Sequence, residues 1–296
     1  MLAALDTYGI SALNGLAIGL VLYTMAVGVS LVFGMMNILN LAQGILYMLG
    51  TYTAVRIVDP GGSWSSYATA VAAAIAAGML SGGVLAALMR PLATRGHLDQ
   101  ALLTLGVAFI GTAALPSLFG QGIYSLAPPH RLGGSVSVAG NEYPAYRIAV
   151  IVVGLAIAAG VTLLVERTAL GALVRAAVVD RPMLQALGVD TRKLTAIVFV
   201  LGASLASLGG VIGGPILGAA PGLDFDVLIL AMAVVVVGGL GSAWGALVGA
   251  IVVGEVDTMG TALAPQFGAF FLFGTMAAIL AIRPAGLFGD QHALST

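Results

Sequence analysis

The sequence predicts an all-α, polytopic membrane protein, and three observations predict it. Sixty per cent of its 296 residues are hydrophobic and 8% are charged, against about 45–50% and about 25% in soluble domains. Mean hydropathy is +1.09. The 42 glycines point to helices packed closely on one another rather than helices held apart in lipid. With about 20 apolar residues per span, the composition caps the count near nine. Eight to nine segments are expected, in a single transmembrane unit over 1–296.

The charges mark the elements in order. Charge-free tracts run over 7–55, 60–89, 100–130, 148–165, 194–223, 227–254 and 258–282, each long enough for a span. The first holds two helices, with a break in Phe33-Gly34-Met35-Met36-Asn37. No Lys or Arg precedes it, so it lacks the basic region of a cleaved signal and the first helix is expected to be retained.

Lys and Arg set the orientation. Segment 166–193 carries Arg167, Arg175, Arg181, Arg192 and Lys193, and segment 90–99 carries Arg90 and Arg95. Two crossings separate them, so both face one side, the cytoplasm, with the N-terminus outside. Tract 227–254 is interrupted by Gly238-Gly239-Leu240-Gly241-Ser242-Ala243-Trp244-Gly245. As one crossing it puts Arg283 outside. As a hairpin of two short arms it puts Arg283 inside, where the rule prefers it, and gives nine segments.

Several chemistries are excluded. The lone lysine, Lys193, precedes Leu194, so no phosphate-binding Lys-Ser/Thr loop exists. His97, His130 and His292 fall in loops or the tail, which leaves no intramembrane Ser–His pair and no metal-ligand spacing. Cysteine is absent, and a net charge of −1 offers nothing to nucleic acid. The chain reads as a non-enzyme without a cofactor of its own. Asp224 with Asp226 and Glu255 with Asp257 sit at tract edges and read as interfacial end charges; a proton-coupling role for Glu255 is the other reading.

Three segments carry information. In 166–193, Asp180 can cap a helix, Pro182 suits its first turn and Gly188 its left-handed stop. The result is a cytoplasmic helix over Arg181–Leu187 whose face carries Met183, Leu184 and Leu187, suited to a partner's groove or to the lipid surface. In Asn37-Ile38-Leu39-Asn40-Leu41-Ala42-Gln43-Gly44, the amides Asn37, Asn40 and Gln43 at spacing three would share one helical face. They serve either as a polar path or as glue between helices. The break at Gly238, Gly239, Gly241 and Ser242, preceded by Gly209-Gly210 and Gly213-Gly214-Pro215, either lines a transport path or allows close packing. The broken pairs 34–44 and 238–245 hint at an internal repeat.

These residues resemble a family. Leu31-Val32-Phe33-Gly34-Met35-Met36-Asn37-Ile38-Leu39-Asn40-Leu41-Ala42-Gln43-Gly44 with Tyr47-Met48-Leu49-Gly50 is similar to the N-terminal signature of the branched-chain amino-acid ABC permeases. So are Arg90-Pro91-Leu92, the loop Gly171 to Gly188, Gly238-Gly239-Leu240-Gly241-Ser242 and Arg283-Pro284-Ala285-Gly286-Leu287-Phe288-Gly289. One departure is Gln43, where the family usually has His. The resemblance implies an importer in the bacterial inner membrane. It would pair two permeases, identical or different, with two cytoplasmic ATPase subunits that bind the ATP and a periplasmic solute-binding protein. It makes Arg175 and Asp180 to Gly188 the coupling element seated in the ATPase. It implies branched-chain or other apolar amino acids as solutes, with urea, short amides or aromatic acids as alternatives within the family. An ion-coupled secondary transporter is the rival from another class.

Overall fold

The computed structural model describes residues 2–36, 40–92, 95–138 and 141–289. The helices are α1 (Leu2–Met36), α2 (Gln43–Ile57), α3 (Trp64–Met89), α4 (His97–Phe119) and α5 (Ala145–Arg167), then α6 (Ala169–Val179), α7 (Arg181–Ala186), α8 (Thr191–Leu217), α9 (Leu223–Gly238), α10 (Ala243–Leu263) and α11 (Gly268–Ile282). A two-stranded antiparallel hairpin, β1 (Ser135–Val138) and β2 (Asn141–Pro144), precedes α5 and pairs Val136 with Tyr143. Seven helices among the described residues are long and apolar enough to cross a bilayer. Counting α2 and α9, of 15 and 16 residues, gives the nine segments of the hairpin reading.

Tract 227–254 is that hairpin. Its arms α9 and α10 meet at a turn where Gly239 and Gly241 take φ of +103° and +82°, conformations that a Cβ opposes. The C-terminal strap returns to this corner: Leu287 N donates to Val237 O (2.9 Å) and Phe288 N to Gly238 O (3.0 Å). Trp244 Nε1 donates to Glu166 Oε1 at 2.9 Å, which brings the end of α5 to the same place. One end of the bundle thus gathers the 239–242 turn, the 166–168 corner and the 283–289 strap, and carries most of the arginines. The other end holds the 58–63 loop, tied to 130 by His130 N on Gly62 O (2.8 Å), and the Tyr124–Ala219 bridge. This partition is the one the basic residues predict.

Two groups of four helices share one design. Each has a long helix (α1 or α8), a break, a short helix (α2 or α9), a tight reversal into a long helix (α3 or α10) and a fourth helix (α4 or α11). Their packing is reciprocal, since α1 lies along α10 and α8 along α3. Because α1 runs toward the arginine-rich end and α8 away from it, the two groups are inverted relative to each other. The equivalent breaks therefore fall between α1 and α2 and at 218–222. Segment 238–242, which the sequence pairs with 34–44, occupies the place of the ordinary turn 58–63. Glycine permits this packing. Gly19 on α1 faces the Ala250 carbonyl of α10 and Gly50 on α2 that of Ser207 on α8, each too close to admit a Cβ.

Candidate functional site

At the arginine-rich end, segment 166–193 folds as two helices rather than the single one read from the sequence. Thr168 starts the first, its Oγ1 accepting from Gly171 N at 3.1 Å. Gly171, Val174 and Ala177 of α6 are buried. Arg175 donates its guanidinium to the Val165 carbonyl, fastening α6 under α5. The missed signal is Thr168, an N-cap residue three places before Gly171.

The second helix has the predicted devices. Asp180 Oδ1 accepts from Met183 N at 2.9 Å, Pro182 lies in the first turn, and Gly188 stops the helix at φ +84°, its N–H reaching Gln185 O at 2.9 Å. The apolar face divides, however. Leu184 is buried, whereas Val179, Met183 and Leu187 are 86%, 57% and 70% exposed. Leu184 points back to the bundle and the other three form an outward edge. Arg181 reaches Thr195 of α8 at 3.5 Å. Asp190 caps α8, accepting from Arg192 N (3.1 Å) and Lys193 N (3.2 Å). Chiefly through the bond from the Lys193 backbone, these contacts hold its carboxyl below the usual range.

This outward edge is tied to the bundle through glycine. A side chain at Gly34 of α1 would meet the Gly241 backbone at 2.7 Å and a Val178 methyl of α6 at 3.5 Å. Ser30 Oγ donates to Ser242 O at 3.4 Å, and Ser242 Oγ caps α10 by accepting from Gly245 N at 2.9 Å. Gly238 lies against Gly245, backbone on backbone. The residues Gly238, Gly239, Gly241 and Ser242 therefore form a closely packed corner that joins α1, α6, α9 and α10.

The amides lie elsewhere. Asn37 is outside the described residues. Asn40 sits in the break itself and not on a helix, so it does not share a helical face with Gln43. Instead the two bond directly, Asn40 Nδ2 to Gln43 Oε1 at 3.1 Å, and Asn40 Oδ1 accepts from Ala42 N at 3.2 Å. Gln43 Nε2 donates to Gly202 O of α8 at 2.8 Å, and Leu41 N donates to Thr104 Oγ1 of α4 at 3.2 Å. Both amides are buried. They meet the demand that polar groups inside an apolar bundle find partners, and they place the start of α2 between α1, α4 and α8.

Of the four acids expected as interfacial end charges, Asp226 is exposed in the first turn of α9, and the other three depart from that expectation. Asp224 is buried and receives the Thr112 hydroxyl of α4. Glu255 and Asp257 fall inside α10, and Gly15 of α1 packs directly on Glu255.

The family described as the permease component of branched-chain amino acid transport systems matches residues 11–280. The chain is similar to the high-affinity branched-chain amino acid transport permease BraD of Pseudomonas aeruginosa, 29% identical over 291 residues that cover 93% of this chain and 94% of BraD. It is 27% identical to LivH of Salmonella typhimurium and 26% identical to LivH of Escherichia coli, again over 93% of this chain and 94% of each relative. With its apolar helices, its inverted halves and this match along nearly its whole length, the chain is a transport permease rather than an enzyme, and it belongs to the permease-component family of branched-chain amino acid transport systems.

Proposed function

We propose that this permease forms the translocation path of an ATP-driven importer for branched-chain or other apolar amino acids in the bacterial inner membrane. In this reading it works with a second permease, two cytoplasmic ATPase subunits and a periplasmic solute-binding protein. The names of BraD and LivH support the solute class. The observation that carries the coupling is the outward edge Val179, Met183 and Leu187, a set of exposed apolar side chains on capped helices at the arginine-rich end. Such an edge, flanked by Arg175, Arg181 and Asp180, fits a groove in a soluble partner.

Closure of the ATPases pulls α6 and α7, and Val178 on Gly34 passes the displacement to α1 and to the 238–242 corner. The path in this reading runs beside the break that carries Asn37, Asn40 and Gln43. Asn40 and Gln43 exchange partners as α1 and α8 separate, offering uncharged donors and acceptors to a zwitterion. Gly238, Gly239, Gly241 and Ser242 form its cytoplasmic rim.

The test is a pair of edge variants, Met183→Glu and Leu187→Glu, in the reconstituted complex. Solute-stimulated ATP hydrolysis should fall at least about tenfold, because a charge in a buried apolar contact costs well over 1.4 kcal/mol. Unchanged hydrolysis in both variants rejects the coupling assignment.

A further inference from the structure

Where α2, α4 and the start of α9 meet, the bundle holds a small cavity of about 10 Å³ lined by Tyr52, Thr112, Pro116, Gly222 and Asp224 among others. That is room for one water-sized guest. Three of its lining side chains, Tyr52, Thr112 and Asp224, are polar. Asp224 is 4% exposed, and one of its carboxylate oxygens is engaged by Thr112. Tyr52 is 1% exposed, and its hydroxyl has no partner among the described residues. Pro116 lies inside α4 and brings no N–H, so the Thr112 carbonyl lacks its usual donor. Tyr52, the aromatic ring of the lining, is held by stacking on Phe119 at 5.4 Å and by an edge-on contact with Tyr124 at 6.2 Å.

Charge makes this cavity a site rather than a packing gap. At the buried first turn of α9, the Asp224 carboxyl is a place where a cation would be favoured. Among the described residues the one ion pair is Lys193 with Asp190, far along the chain from this pocket, and no basic side chain serves Asp224. The available groups are a carboxylate oxygen, a phenol oxygen and a main-chain carbonyl. Hard oxygen donors of this kind suit a compact monovalent cation.

We infer that the Asp224–Tyr52–Thr112 cavity binds a compact monovalent cationic group, either a free ion or the ammonium head of the passing solute. The ammonium source rests on the amino-acid reading above, and the free-ion source stands without it. In either case Asp224 is the counter-charge, Tyr52 supplies the second oxygen, and Thr112 holds the carboxylate in place.

The test uses the purified full-length permease in nanodiscs, melted in sodium, ammonium or choline chloride at equal ionic strength. Two further arms add L-leucine or 4-methylpentanoate, its analogue without the ammonium. A cation that fits the cavity should raise the melting midpoint by about 3 °C over choline. Asp224→Asn keeps an acceptor for Thr112 and should abolish that rise. Tyr52→Phe keeps the ring stack and should raise the half-saturating concentration about tenfold. A rise with sodium or ammonium alone identifies a free ion. A rise with leucine and none with 4-methylpentanoate identifies the solute's head group. Equal wild-type midpoints in every arm overturn the site, and so does a full response in Asp224→Asn or wild-type half-saturation in Tyr52→Phe. If Asp224→Asn yields no folded protein, Tyr52→Phe decides alone.

Discussion

The break before α2 and the turn after α9 look alike as sequence, each a run of polar or small residues interrupting an apolar tract. They are built on opposite principles. At Asn40–Gln43 the chain leaves helical geometry inside the bundle, and side-chain amides replace the lost main-chain partners, reaching Gly202 on a different helix. At 238–242 the chain reverses at the bundle's end, with backbone on backbone and a strap of main-chain bonds from Leu287 and Phe288. The lesson is that a broken helix is defined by what satisfies its freed N–H and C=O groups. The Asn40 amide does this deep in the bundle for the Ala42 N–H, and the N–H groups of the returning strap do it at the crowded corner, where glycine lets the backbones approach.

The corner should be the more brittle of the two. Gly239→Val puts a β-branched side chain at φ +103° and against the Gly289 backbone, so a loss of about 4 kcal/mol or more is expected. It would appear as absence of a monodisperse peak in size-exclusion chromatography. The amide break should degrade more gently. Gln43→Leu removes the added bond to the Gly202 carbonyl and orphans one Asn40 donor, for about 1–3 kcal/mol. Gln43→His, which keeps one ring N–H, should recover part of the thermal midpoint. A double-mutant cycle of Asn40→Ala with Gln43→Leu should show coupling of about 1 kcal/mol; strict additivity contradicts the direct amide bond.

Helix caps provide the finest comparison. Ser242→Ala removes the hydroxyl on Gly245 N and should cost about 1 kcal/mol, equally at all pH values, since a hydroxyl does not titrate in this range. The Asp190 cap does titrate. Its carboxyl is lowered below its unfolded value, so its contribution is present above the unfolded pKa of about 3.9 and is lost as pH falls through the folded value. The midpoint gap between wild type and Asp190→Asn should therefore close as pH drops from 6 toward 3, while that of Ser242→Ala stays constant.

Much of this was legible in the sequence. Hydrophobic tracts between charges locate the helices, and the basic residues sort the loops between two ends. Asp180, Pro182 and Gly188 announce α7 because capping chemistry is local. Local signals say nothing, however, about which long-range neighbour a group meets. Leu184 and Leu187 look equivalent by spacing, yet only Leu184 turns inward. Asp224 looks like a terminal charge because its burial depends on Thr112, 112 residues away. The repeat was detectable as a count of breaks but was paired wrongly, because the true equivalence rests on α1 lying along α10 and α8 along α3.

The single crossing α5, placed between the two four-helix groups, has a consequence for how the chain enters the membrane. An odd number of passes between two copies of one design forces the second copy to be threaded upside down. Removing α5, or adding one more pass, would leave both copies pointing the same way and deprive α1 and α8 of their antiparallel partners. Arg167 ends α5 and four more basic residues follow it before α8 has made its first turn, so this joint carries the charge expected to keep it on one side of the membrane.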